Sequence, residues 1–243
     1  MTRADKFLVD AGYFETRARA QAAIAAGRVS VNGVALSKAS QKIPPGAQID
    51  AREAYPYVSR AALKLVEGLD VFGVDPTGCL ALDVGSSTGG FTEVLLERGA
   101  RHVIAVDVGR DQLHARLRDD TRVTSLESTD ARHLTADLLG QAPEIIVCDA
   151  SFISLTKVIQ RPLELAADRA DLIALIKPQF EVGKAGLGKG GLVKSQVEAD
   201  RAIAEVRAAL DGLFEFSVLG MCDSPIRGGD GNEEYLIHAR KRL

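Results

Sequence analysis

A chain of 243 residues, 46% hydrophobic and 26% charged, has room for one large α/β domain plus a small companion, and its make-up is that of an ordinary globular protein. No run approaches the ~20 apolar residues that span a bilayer, and no signal-like stretch follows the first residues, so membrane and secreted classes are set aside and a cytoplasmic protein is expected. The net charge of −3 hides an asymmetry, because residues 1–54 carry eight Lys/Arg against five acids while the remainder is acidic. A basic small domain beside an acidic large one points the small domain at a polyanion. Three cysteines, Cys79, Cys148 and Cys222, lie far apart without metal-ligand spacing. They read as reduced thiols, with core packing expected for Cys79 and Cys148, and no metal site is expected.

In chain order, Phe7, Leu8 and Ala11 mark a first helical stripe that stops at Gly12. Thr16 is placed to cap a second helix through Ala26, which Gly27 ends. Val29-Ser30-Val31 alternates like a strand and enters Asn32-Gly33, the strongest short hairpin signal, before Val34-Ala35-Leu36. Pro44-Pro45-Gly46 is a turn, and Gln48-Ile49-Asp50 returns as a short strand. Pro56 interrupts any helix nearby. These features predict a small domain over 1–53, a linker over 54–58 and a large domain over 59–243. Ser59 opens a helix with Ala61, Leu65 and Leu69 on one face and Lys64 projecting elsewhere.

From Leu80 onward, strands are predicted at 80–84, 102–107, 122–126, 144–149 and 171–177, and helices near 88–98, 111–118, 154–167 and 196–211. Two final strands, near 214–222 and 234–240, follow without a long helix between them and suit an antiparallel hairpin. The fold class is therefore α/β, a Rossmann-like sheet with an antiparallel terminal hairpin, preceded by a small α+β domain.

The most specific chemistry lies in Asp83-Val84-Gly85-Ser86-Ser87-Thr88-Gly89-Gly90-Phe91, a glycine-rich turn after the apolar run Leu80-Ala81-Leu82. A second apolar run, Val103 to Val106, ends in Asp107. A dinucleotide fingerprint would read G-x-G-x-x-G and seat a pyrophosphate on the helix N-terminus. Here the pattern is D-x-G-x-x-x-G-G, and a carboxylate at that place suits a cationic ligand end. S-adenosylmethionine has an ammonium and a sulfonium there, and its ribose suits Asp107. Four further ionisable residues fall where such a sheet presents its ligand edge: Lys64 before the first strand, Asp149 after Ile145–Cys148, Lys177 after Leu172–Ile176, and Glu234 at the last strand.

Residues 1–50 resemble the ribosomal-protein-S-four type (αL) RNA-binding module, through R-x-D-K-F-L at 3–8, T-R-A-R-A-Q-A-A-I at 16–24 and G-R-V-x-V-N-G at 27–33. The resemblance implies that Arg17, Arg19, Arg28 and Lys38 face RNA, whose A-form helix is gripped through phosphates and shape. The rest resembles the FtsJ-like ribose 2′-O-methyltransferases, and the whole chain resembles the TlyA family of rRNA methyltransferases. The matching strings are V-S-R-A-A-L-K-L at 58–65, D-V-G-S-S-T-G-G-F-T-E-V-L-L at 83–96, D-A-S-F-I-S-L at 149–155, K-P-Q-F-E-V-G-K at 177–184 and G-N-x-E-Y at 231–235. The resemblance carries a Lys-Asp-Lys-Glu tetrad onto Lys64, Asp149, Lys177 and Glu234, with Glu233 the rival for the last place. It also implies Asp83, Gly85, Ser87, Gly89 and Phe91 around the methionine end of the donor, Asp107 on the ribose, and Asp130 on the adenine amine or merely capping the next helix.

A ribose hydroxyl is a weak acid, so attack on a methyl group needs a base or alkoxide stabilisation. Burial and the charge of Lys64 make Lys177 the expected acceptor of that proton, with Asp149 orienting it and Lys64 and Glu234 aligning the hydroxyl. Gly183 to Gly190 nearly fits a phosphate loop but has Gly190 where Ser/Thr should hold Mg²⁺. It is expected instead to be a flexible basic lip, with Lys184, Lys189 and Lys194, that closes on RNA. The family implies cytidine 2′-O-methylation in ribosomal RNA, and the sequence resembles its shorter form, so large-subunit rRNA is the expected main target, with small-subunit rRNA left open as an additional one. Three readings compete: a nicotinamide oxidoreductase, disfavoured by the missing fingerprint; a non-catalytic ribosome-binding or assembly factor, disfavoured by the intact tetrad; and a haemolysin, a description also given to the family.

Overall fold

A computed structural model describes residues 2–242. The chain divides after Pro56 into two compact units. The first contains β1 (Thr2–Arg3), α1 (Ala4–Asp10), α2 (Arg17–Ala25), β2 (Val29–Val31), β3 (Val34–Ala35), β4 (Lys42–Ile43) and β5 (Ile49–Ala51). Strands β3, β2 and β5 form an antiparallel sheet in that order, and β1 pairs with β4. Thr16 caps α2 by accepting from the Arg19 N–H at 3.3 Å. The β2–β3 turn has Asn32 at φ 51° and Gly33 at φ 78°, the two left-handed residues that a two-residue hairpin needs. The core comprises Ala4, Leu8, Phe14, Ala20, Ile24, Val29, Leu36 and Ile43 among others. The buried stripe of α1 is thus Ala4, Asp5 and Leu8, and Ala11 ends the helix exposed instead of joining the stripe.

The second unit contains α3 (Ala62–Phe72), β6 (Leu80–Val84), α4 (Gly90–Glu97), β7 (His102–Val106), α5 (Ala115–Arg118), β8 (Val123–Leu126), α6 (Ala136–Leu139), β9 (Ile145–Cys148), α7 (Leu155–Val158), α8 (Gln160–Glu164), β10 (Arg169–Ile176), α9 (Pro178–Glu181), α10 (Gln196–Leu210), β11 (Phe216–Asp223) and β12 (Tyr235–Arg242). They build a seven-stranded sheet of order β11-β12-β10-β9-β6-β7-β8. Ladders from β10 to β8 are parallel, and β12 runs antiparallel to both β10 and β11. Side chains alternate between two cores, as strand geometry requires. Leu80, Leu82, Val84, Ile146, Leu172 and Ile176 pack on one face, and Ala81, Val103, Ile145, Val147, Ile173 and Leu175 on the other. Each fully buried aliphatic of this kind stabilises by roughly 1.5–3 kcal/mol.

Two expected helices are shorter than their patterns. The 154–167 helix breaks at Ile159 into α7 and α8, because Pro162 has no N–H to give to the preceding turn. Residues 111–114 are not helical, since Glu127 takes the backbone N–H groups of Asp111, Gln112 and Leu113 at 3.1, 2.6 and 2.9 Å. The chain leaves β6 toward β7 and β8 on one side and returns to β9 on the other, so the sheet has its topological switch point between the carboxyl ends of β6 and β9.

Candidate active site

Four elements bring the charged residues to that switch point. Lys64 lies in the first turn of α3, Asp149 follows β9, and Lys177 follows β10. Glu234 precedes the antiparallel β12, whose start therefore lies at the same edge as the ends of the parallel strands. Lys64 Nζ donates to Glu234 Oε2 at 2.5 Å and stands 3.7 Å from Asp149 Oδ1. Lys177 Nζ stands 2.7 Å from the same Oδ1, an ion pair without hydrogen-bond alignment. It also donates to the Asp149 carbonyl at 3.1 Å and to Ser151 Oγ at 2.8 Å. Lys64, Lys177 and Glu234 are 6%, 6% and 5% exposed. Burial on that scale is tolerable because two cations meet two carboxylates, and removing any one would leave an uncompensated buried charge. Lys64 shares the buried side of α3 with Leu65 and Leu69 instead of projecting elsewhere.

The choice between the two glutamates follows from extended backbone entering β12. Asn232 and Glu234 point inward, while Glu233 turns out and pairs with Arg227 at 2.6 Å. Asn232 Oδ1 accepts from the Val193 N–H at 3.0 Å, and its Nδ2 donates to the Gly191 carbonyl at 3.1 Å. That amide pins the glycine-rich segment 183–195, which has two short 3₁₀ turns and a Leu187–Val193 bridge. The segment is a loop with exposed Lys184, Lys189 and Lys194.

Two clefts meet here. A small one of about 220 Å³ is lined by the tetrad, Ser59, Ser86 and Phe91. A larger one of about 640 Å³ runs over the ends of β6 and β7 and includes Asp107, Gly109, Gln112, Asp130, Ile153 and Val158. Gly85, Ser87, Asp149 and Ser151 line both. Asp107 fixes the shape of the larger cleft, its carboxylate accepting from the Ser87 N–H at 2.8 Å and the Gly109 N–H at 2.7 Å. Gly85 has φ 80°, and a Cβ there would sit 2.9 Å from the Ala150 backbone, so only glycine lets the turn lie against the loop after β9.

Of the residues expected to hold the donor, Gly85, Ser87, Asp107 and Asp130 line the larger cleft, and Phe91 lines the smaller. Gly89 lines neither; a Cβ there would strike Leu117, which makes its place one of packing. Asp83 also lines neither, being fully buried beneath the turn. Its Oδ2 accepts from Thr92 Oγ1 at 2.7 Å, and its Oδ1 is buried without a hydrogen bond. Burial pushes the Asp83 carboxyl up to about 7, against the Thr92 hydrogen bond and with the help of nearby Asp149 and Asp107. Asp130 is held by the Arg132 guanidinium, chiefly through hydrogen bonds, which brings its carboxyl down to about 2, and it also caps the short turn after it. Burial pushes the Cys148 thiol up to about 12, the behaviour of a core residue.

Sequence reasoning missed Ser151, Gly109, Gln112 and Phe152. Ser151 and Phe152 stand inside D-A-S-F-I-S-L, but neither is ionisable, so neither marks the end of an apolar run with a charge. Phe152 is 91% exposed at φ 65°, with its ring tilted by 48° against that of Phe180 and the centroids 5.2 Å apart.

In the first unit, Arg17 pairs with the buried Asp5 at 2.7 Å and Arg3 with the same carboxylate at 3.1 Å. Together they hold the Asp5 carboxyl well below the usual carboxylate range. Arg19 pairs with Glu53 at 3.0 Å and lies over the Tyr55 ring. Arg28 and Lys38 are exposed.

A family description of FtsJ-like methyltransferases matches residues 57–241, and one of S4 domains matches residues 2–49. The chain is 41% identical to the 16S/23S rRNA (cytidine-2′-O)-methyltransferase TlyA of Mycobacterium tuberculosis, over 98% of this chain and 89% of that one. It is 37% identical to Hemolysin A of Brachyspira hyodysenteriae, over 97% and 98% of the two chains. Among solved structures, a candidate haemolysin of Streptococcus thermophilus superposes with a TM-score of 0.78 at 39% identity, covering 99% of this chain and 88% of the other. The magnesium protoporphyrin IX methyltransferase of Synechocystis, solved with bound S-adenosylmethionine, shares the fold at a TM-score of 0.50 and 18% identity, over 76% of this chain and 79% of that one. The chain belongs to the FtsJ-like methyltransferases, in the TlyA family, with an S4 domain ahead of the methyltransferase domain.

Proposed function

We propose that this protein transfers a methyl group from S-adenosylmethionine to the ribose 2′-hydroxyl of a cytidine in ribosomal RNA, with the large-subunit rRNA as main target. The observation that carries the reading is the buried Lys64–Glu234 and Asp149–Lys177 pairing at the mouth of a nucleoside-sized cleft. Acting on ribosomal subunits, the protein works in the cytoplasm.

The residues of the larger cleft fit the donor. Asp107 has lone pairs beyond its two backbone bonds and takes the ribose hydroxyls. Ala150, Ile153 and Val158 offer an apolar wall for the adenine, with Asp130 at its polar edge. Gly85 and Ser87 hold the methionine end, and Asp83 supports the turn from beneath through its bond from Thr92. When bound, S-adenosylmethionine supplies an electrophilic methyl group. Lys177 accepts the proton of the attacking hydroxyl, Asp149 fixes the Lys177 nitrogen, and Lys64 with Glu234 aligns the hydroxyl. Pre-paired charges in a buried site need no reorganisation as the proton moves.

In the first unit, Arg28 and Lys38 are the RNA-facing cations, Arg17 contributes from beside Asp5, and Arg19 braces the unit against Glu53 and Tyr55. The test is transfer of labelled methyl to unmodified rRNA and to isolated subunits. Label on large-subunit RNA, lost in Lys177→Ala, is the expected result. Donor binding without label on any RNA would overturn the reading.

A further inference from the structure

A lysine that accepts a proton in every turnover must be emptied between turnovers, and the partners of Lys177 differ in their ability to help. In the structure, Lys177 Nζ meets three oxygens: the Asp149 carboxylate, the Asp149 carbonyl and the Ser151 hydroxyl. An ammonium has three donors and no acceptor; two of them go to the Asp149 carbonyl and the Ser151 hydroxyl, and the Asp149 carboxylate balances the charge. The two Asp149 partners only accept. Once Lys177 has lost a proton, neither offers a hydrogen to the new lone pair. A serine hydroxyl both donates and accepts, and Ser151, at 2.8 Å, is the one neighbour among the described residues that pairs with either form.

Exposure gives the second argument. Lys64, Lys177 and Glu234 are buried, whereas Ser151 is exposed and lines both clefts. The charged surroundings of Lys177 are Asp149 after β9, Lys64 on α3, Glu234 before β12 and the buried Asp83 on β6, with the Cys148 thiol one residue before Asp149. On α9, Glu181 is turned away to accept from the Leu155 N–H. Asp149 also lines both clefts, but as a carboxylate it only accepts and has no hydrogen of its own to pass on.

Resting on the methyl-transfer reading above, we propose that Ser151 is the proton-relay and positioning residue of Lys177. As the ribose oxygen bonds to the methyl carbon, the methyl–sulfur bond breaks and the neutral thioether leaves, while the ribose O–H bond breaks and its proton goes to Lys177 Nζ. An N–H proton then passes to Ser151 Oγ while the hydroxyl proton of Ser151 leaves to water. Lys177 is neutral again, Ser151 is again a hydroxyl, and water has gained the one proton that the substrate lost.

The test is kcat and KM for RNA, with donor affinity, in wild type, Ser151→Ala and Ser151→Thr, each with and without added imidazole. Ser151→Ala is expected to lower kcat about tenfold, the worth of one hydrogen bond made in the transition state. KM for RNA and donor affinity stay unchanged, imidazole restores much of the rate by taking the proton itself, and Ser151→Thr keeps the wild-type rate. An unchanged kcat in Ser151→Ala, a loss that no buffer base relieves, or a loss shared by donor affinity would each overturn the relay. A wild-type enzyme that labels no RNA would instead overturn the reading on which the relay rests.

Discussion

Asp83 carries a pH dependence whose sign follows from its burial. Its carboxyl is raised to about 7 in the folded protein, against ~3.9 in an unfolded chain. Below about pH 4 the group is protonated in both states and costs nothing. Between about pH 4 and 7 the unfolded chain ionises while the folded one resists, so stability is lost as pH rises. The full penalty is on the order of 4 kcal/mol above pH 7. Asp83→Asn removes the charge, so urea unfolding should show the variant gaining on wild type between pH 5 and pH 8. An unchanged difference between those two pH values would contradict the account. Asp5 behaves in the opposite sense. Arg3 and Arg17 depress its carboxyl, so its contribution is present at neutral pH and is lost as pH falls below about 4. Hydrogen exchange of α2 should therefore quicken in Asp5→Asn at pH 7 and match wild type in strong acid.

The turn after β6 and the segment 183–195 are each held at one position. Gly85→Ala places a Cβ in a left-handed conformation against the Ala150 backbone and should cost about 1–3 kcal/mol. Thermal unfolding and donor titration should both register it, and an unaltered donor affinity would show that the turn does not shape the cleft. Asn232→Ala removes both side-chain bonds to the glycine-rich segment, each worth about 1 kcal/mol. Tryptic cleavage after Lys184 and Lys189 should then speed up by about tenfold or more as the open population grows. Digestion at the wild-type rate would mean that other contacts hold the loop. At this scale the sequence was most readable where one rule governed the outcome. Unbroken apolar runs located the strands of the large sheet, and Asn32-Gly33 located the hairpin. Where two rules competed, local pattern lost: Pro162 split a helix of good periodicity, and Glu127 drew 111–114 out of helix by binding its N–H groups. Ionisable residues beside apolar runs exposed the tetrad. Ser151 stayed hidden because a serine gives no periodic or charge signal, and its part depends on a 2.8 Å distance that only the folded chain creates.

For the molecule as a whole, the charge asymmetry and the two units argue for division of labour, RNA grip in the S4 domain and chemistry in the larger one. Grip through phosphates makes affinity fall with salt, by roughly 0.7–0.9 in log–log slope per neutralised phosphate. Arg28→Ala with Lys38→Ala should weaken RNA binding and flatten that slope by about one to two, leaving donor affinity intact. Arg19→Ala should chiefly loosen its own unit, since its charge is spent on Glu53. An RNA affinity indifferent to the Arg28 and Lys38 pair would remove them from the contact surface. The most direct test of the central claim is nucleoside mass spectrometry of ribosomal RNA incubated with S-adenosylmethionine and either wild-type protein or Lys177→Ala. The account predicts 2′-O-methylcytidine with wild type and a rate lower by about two to four orders of magnitude with the variant. A methyl group on a base, or a variant as fast as wild type, would contradict it.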